Sequence, residues 1–127
     1  MRLYEFTEDN VRFVTSSQSD FERGFSVEMY VNGKHVGSYK HYVDEDGVQS
    51  SIDIFPEFQG KGYGKLLTLK AIYVATKENA LGFERDVRGE TKAQNQVYNS
   101  LEKDGLITSG LMNVTLTSKG LDLLQEL

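Results

Sequence analysis

The run Phe55-Pro56-Glu57-Phe58-Gln59-Gly60-Lys61-Gly62-Tyr63-Gly64-Lys65 holds three glycines within five positions. Glycine lacks a Cβ, so such a stretch can reach positive φ and lets a ligand approach the main chain closely. The run stands between a strand-like segment, 48–54, and a helix-like segment beginning near Lys65. The first N–H groups of a helix are unpaired and lie at the positive end of its dipole. Loop and helix start together suit a phosphate chain. Gly60 to Lys65 would supply backbone N–H groups and Gln59 would shape the loop; Lys61 and Lys65 are either point charges for the phosphates or solvated surface lysines. Two common phosphate loops do not fit. The mononucleotide string Gly-x-x-x-x-Gly-Lys-Ser/Thr is absent, and the alternating Gly60, Gly62 and Gly64 do not match the dinucleotide spacing Gly-x-Gly-x-x-Gly. The string that fits is Gln/Arg-x-x-Gly-x-Gly/Ala, filled by Gln59, Gly62 and Gly64.

The flanking sequence predicts the elements that hold this loop. Residues 25–31 alternate apolar and polar, as a half-buried strand does. Asn32-Gly33 suits a type I′ hairpin turn, and 36–43 returns as the partner strand. Asp44-Glu45-Asp46-Gly47 is a second turn, and 48–55 a third strand, completing an antiparallel meander. Short strands are expected over 3–6 and 11–14, with a polar loop over 16–20. The helix over 64–78 is apolar around much of its circumference and should be well buried. A strand over 83–88 follows, then a helix over 91–104 closed by Gly105, short strands at 106–107 and 111–116, and a final helix over 117–127.

On Ile54, Pro56, Gln59, Gly62 and Gly64, with the strand before and the helix after, the chain resembles the GCN5-related N-acetyltransferase (GNAT) superfamily over about residues 48–78, and more weakly to about 106. The resemblance implies one α+β domain over 1–127 with a mixed sheet. In it the antiparallel meander leads into the phosphate-loop helix, and strands four and five splay apart, here 48–55 and 83–88. It implies acetyl-coenzyme A as donor substrate, with its pyrophosphate on Gly60, Lys61, Gly62, Tyr63, Gly64 and Lys65. The pantetheine arm would pair with the backbone of Ile54 and Phe55 as an added strand, and the Ile54 N–H would polarise the thioester carbonyl. The segment from Gln94 to Leu106 is similar to the family's second motif. Asn95 is then a partner for the cofactor arm or a helix-surface asparagine. Leu101 occupies the place where the family often has a tyrosine that protonates the departing thiolate. Tyr98, one turn earlier, is either its substitute or a core tyrosine.

An amine acceptor must lose a proton to attack. Where some family members carry a glutamate, this chain has Val48, so no base carries over. Asp53 is the nearest strand carboxylate, on the face shared by Gln49, Ser51 and Phe55. His41 and Glu45 are weaker candidates, and His35 beside the hairpin turn reads as exposed and idle. No metal-ligand spacing and no Ser-His-Asp arrangement is legible. The chain has no cysteine, and its net charge of −5 does not favour nucleic acid. No membrane span is expected, and a cytoplasmic protein is the default.

The short region before residue 25 suggests an open acceptor groove, or one completed by a partner subunit in a homodimer. The expected activity is transfer of an acetyl group to a primary amine of a small molecule, peptide or protein, within one ternary complex. The alternative is a GNAT-fold interaction module that keeps coenzyme A and transfers nothing. A winged helix near the C-terminus, on Leu101 to Ile107 followed by Leu116-Thr117-Ser118-Lys119-Gly120-Leu121, is a third reading, which the low basicity opposes.

Overall fold

The computed structural model describes residues 10–17, 24–44, 47–78, 83, 91–109 and 113–127. The strand expected over 3–6, Glu45, and 84–88 of the fifth strand lie outside these residues.

Four strands form an antiparallel sheet in the order β1 (Val11–Ser17), β2 (Gly24–Val31), β3 (Lys34–Asp44) and β4 (Gly47–Ile54). Asn32 and Gly33 take φ of 52° and 83°, as the hairpin expectation requires. β1 is longer than its polar end suggests, because Ser16 and Ser17 pair with Ser26 and Phe25. The β2–β3 register pairs Met29 with Gly37 but Tyr30 with His35, leaving Val36 as the extra residue of a bulge. Val36 is nonetheless fully buried. Phe25, Val27, Met29, Tyr39 and His41 line one sheet face and are almost completely enclosed. Glu28, Tyr30, His35, Ser38 and Lys40 line the other. The alternation expected in β4 holds: Ile52 and Ile54 share the core face, while exposed Ser51 and Asp53 share the opposite one.

α1 (Tyr63–Tyr73) crosses the core face and continues as a π-helical turn, Val74–Glu78. It packs on β2, β3 and β4 on one side and on α2 (Lys92–Lys103), β6 (Val114–Leu116) and α3 (Ser118–Gln125) on the other. A helix covered from two sides has no polar stripe to keep, which explains the apolar circumference read from its sequence. Leu66, Leu67, Leu69 and Ile72 are fully buried, each worth about 1.5–3 kcal/mol relative to exposure.

The C-terminal layer owes its form to local signals. Thr91 caps α2 through a reciprocal pair with Gln94: its hydroxyl accepts from the Gln94 N–H at 3.1 Å, and the Gln94 side chain accepts from the Thr91 N–H at 3.0 Å. At the other end Gly105 takes φ of 74°. The N–H groups of Gly105 and Leu106 bond the carbonyls of Glu102 and Leu101, both at 3.0 Å, which is a Schellman closure. β5 (Ile107–Ser109) and β6 form a hairpin, and Thr117 caps α3. The Phe83 carbonyl accepts from Val114 N–H at 2.8 Å, and its ring stacks on His41 with centroids 4.9 Å apart. Thus the first residue of the expected fifth strand sits over β3 and is bonded to the hairpin.

The chain is therefore a mixed α+β protein whose described sheet is antiparallel throughout. A parallel member, as a mixed sheet requires, is not among the described residues. No helix among them is long and apolar enough to cross a membrane.

Candidate functional site

β4 leaves the sheet at Ile54, a single 3-10 turn spans Pro56–Phe58, and the chain then runs through the glycines into α1. Gly60 and Gly62 adopt φ of 80° and 83°. This backbone region disfavours L side chains, so these two positions call for glycine on conformation alone. A Cβ at Gly60 would meet nothing within 4 Å, which leaves the space beside it open. Gly64 differs, because it is helical and its Cβ would lie 3.6 Å from Ile52 Cδ1 and 3.7 Å from Ile54 Cγ1, an ordinary contact. The first turn of α1 therefore rests directly on the core face of β4. The first helical acceptor used is the Gly62 carbonyl, which receives the Leu66 N–H at 3.3 Å. The Gly64 and Lys65 N–H groups precede that bond and have no acceptor within the helix.

The hydrogen-bond parity of β4 decides which of its peptide groups face outward. Phe55 N–H donates to Val36 O at 3.1 Å. Antiparallel ladders alternate, so residues 49, 51, 53 and 55 point their peptide groups at β3. Residues 50, 52 and 54 point theirs away, along the outer edge of the last strand of the described sheet. Ile54 N–H lies on that edge. The expectation for Phe55 is corrected: its N–H is held by Val36 and its carbonyl by Phe58 N–H at 2.8 Å. Gln59 does shape the loop, since its side-chain amide donates to the Ile54 carbonyl at 2.9 Å.

The remaining expected residues fall less neatly. Lys61 is exposed, its ammonium 5.9 Å from the centroid of Phe58. Lys65 is corrected, because its ammonium is bonded to the Asp104 carboxylate and ties the start of α1 to the end of α2. Lys119 Nζ adds a bond to the Asp104 carbonyl at 2.9 Å. Tyr63 is half-buried, its ring 6.4 Å from Phe58. Asn95 accepts from the Asn99 side-chain amide at 3.0 Å, along the surface of α2.

Tyr98 is only 5 % exposed, with its hydroxyl 3.3 Å from that of Tyr39 and its ring 6.1 Å from Phe83. Of its two readings the core tyrosine is the one built, and the proton-donor reading is withdrawn because the hydroxyl is directed at β3. Tyr98→Phe should lower stability by about 0.5–1.5 kcal/mol, the net value of one buried hydrogen bond. Urea unfolding checks this; an unchanged midpoint would show that the hydroxyl pair contributes nothing.

Among the histidines, His41 is 1 % exposed, its Nδ1 has no partner, and burial lowers its pKa from 6.5 to about 4. His35, read as exposed and idle, is partly exposed and has neighbours that the reading did not foresee: its Nε2 lies 2.5 Å from Glu28 Oε2 and its ring stacks on Tyr30. Alternation across the Asn32-Gly33 turn, which places residues 28, 30 and 35 on one face, was the signal for this pair. No group of three or more His, Asp or Glu among the described residues has the geometry to hold a metal ion.

No family model matches the chain, and no curated protein and no solved structure proves similar to it.

Proposed function

We propose that the chain is an acetyl-coenzyme A-dependent N-acetyltransferase with a GNAT-like fold, acting on a primary amine. The observation that carries the reading is the outward edge of β4 ending at Ile54, next to a loop whose Gly60 and Gly62 hold positive φ and whose following helix rests on that strand. In this reading the Gly60–Lys65 backbone takes the pyrophosphate of the donor substrate. The pantetheine arm lies along the outer edge of β4. Gln59 already holds the Ile54 carbonyl, so at Ile54 the donor meets only an N–H, and the next carbonyl that points outward along the edge is that of Ile52. The Ile54 N–H faces the thioester oxygen, where such a donor typically contributes about 10²–10³ in rate.

A second reading, an interaction module that binds coenzyme A without transfer, is favoured by one observation: the Tyr98 hydroxyl is enclosed and supplies no proton to a leaving thiolate. Two measurements decide. Acetyl-coenzyme A should raise the melting temperature, because a ligand of the native state stabilises it. Incubation with a panel of amines and peptides should release thiol. No shift at millimolar ligand would remove both readings, while a shift with no thiol release on a broad panel would select the second.

A further inference from the structure

The outer face of the sheet carries an arrangement that the phosphate loop does not use. His35 Nε2 lies 2.5 Å from Glu28 Oε2, and both side chains are partly open to solvent, 37 % and 30 %. The imidazole is held on two sides: Tyr30 stacks on it at 4.9 Å and 28°, and the Phe55 ring meets it edge-on at 5.0 Å and 84°. Arg12 lies 4.6 Å over the Tyr30 ring. This constellation exists because the two-residue Asn32-Gly33 turn sets His35 opposite Tyr30, with the bulge at Val36 following before the Met29–Gly37 pair, and because the Phe55 ring at the end of β4 reaches the same imidazole. Phe55 directly follows Ile54, so the imidazole is packed against the residue next to the proposed carbonyl donor.

A base oriented by a second group that fixes its tautomer is the recurring plan of proton-abstracting sites. With Nε2–H donated to the Glu28 carboxylate, the Nδ1 lone pair is the remaining basic atom of the ring. We infer that His35, oriented by Glu28, is the general base that deprotonates the acceptor amine at the C-terminal end of β4. The inference rests on the acetyltransferase reading. The acceptor ammonium gives one proton to Nδ1, directly or through one water. Its nitrogen then forms the new C–N bond at the thioester carbon and gives its second surplus proton to a neighbouring water as the C–S bond breaks, with the electron pair leaving on the coenzyme A sulfur. The thiolate takes up a proton from that water, and the imidazolium returns its proton to solvent, so one proton is released overall. His35 is the catalytic residue here; Glu28 is a positioning residue, and Tyr30 and Phe55 fix the ring plane. Among the residues whose side chains are described, the other charged groups on this face include Arg12 from β1, Lys40 from β3 and Asp53 from β4.

The test uses the whole chain with acetyl-coenzyme A and the best amine from the panel. His35→Ala should lower kcat by about 10²-fold, the lower end of what a positioned base contributes. It should keep the acetyl-coenzyme A melting shift, and added imidazole should restore part of the rate. Glu28→Gln, which keeps shape and hydrogen bonding, should lower kcat several-fold with KM for acetyl-coenzyme A unchanged, and decides the matter where His35→Ala does not fold. Full kcat in both variants, or a loss that imidazole does not rescue, would overturn this inference and leave the acetyltransferase reading standing. A parent protein that binds acetyl-coenzyme A but acetylates no amine would overturn both.

Discussion

Gly62→Glu should abolish acetyl-coenzyme A binding, weakening it by at least about 100-fold, or about 2.8 kcal/mol. Two independent terms act in the same direction. Gly62 sits at φ of 83°, where any L side chain costs about 1–2 kcal/mol. A carboxylate at the start of α1 would also face the pyrophosphate, and like charges brought together cost several kcal/mol. The other glycines separate these terms. Gly60→Ala meets open space but keeps the φ penalty at 80°, so it should destabilise the loop without blocking it. Gly64→Ala places a methyl against Ile52 and Ile54 at ordinary contact distance in a helical position, and should gain helix propensity of about 0.8–1 kcal/mol while binding normally. Calorimetric titration of the three variants against acetyl-coenzyme A provides the check. If Gly62→Glu binds as the parent does, the loop is not a phosphate cradle.

The contrast among these glycines shows what sequence delivers and what it withholds. Asn32-Gly33 and Gly105 are readable because each encodes its backbone state within a few residues. The faces of β2 and β4 were readable because a strand alternates with period two. The assignment of Phe55 failed for a non-local reason: which peptide groups face outward depends on the β3–β4 register, fixed here by the bond from Phe55 N–H to Val36 O. Neither reading of the Lys65 side chain, phosphate charge or solvated lysine, anticipates its pairing with Asp104, 39 residues away. The Tyr98 hydroxyl finds Tyr39 at a separation of 59. Neither partner leaves a mark at its own position. His35 is different, since its nearness to a turn does leave it partly exposed, but the same turn sets it opposite Tyr30 and within reach of Glu28.

Acid should destabilise this protein through His41 before most of its carboxylates are protonated. His41 lies on the core face of β3, between the rings of Phe25 and Phe83, with Nδ1 unpartnered. Burial disfavours its charged form, which lowers the folded pKa from 6.5 to about 4. The unfolded chain therefore takes up a proton at this residue as pH falls through about 6.5, whereas the folded chain does not until about pH 4. Above pH 6.5 both forms are neutral and no stability is lost. Between 6.5 and 4 unfolding is progressively favoured, and below 4 both forms are charged and the loss levels off. The full gap corresponds to roughly 3 kcal/mol, a large part of the margin of a domain this size. His41→Leu removes the titrating group together with the unpartnered nitrogen, so it should flatten the curve over this interval. The change at pH 7.5 should stay small, because the lost ring stacking offsets the relief of Nδ1. Urea unfolding of parent and variant at pH 7.5, 6.5, 5.5 and 4.5 measures the difference, in which the carboxylates common to both cancel. Equal losses in the two proteins would assign the acid sensitivity elsewhere. A flatter variant would show that protonation of His41, the residue on which Phe83 stacks, is what couples acid to unfolding.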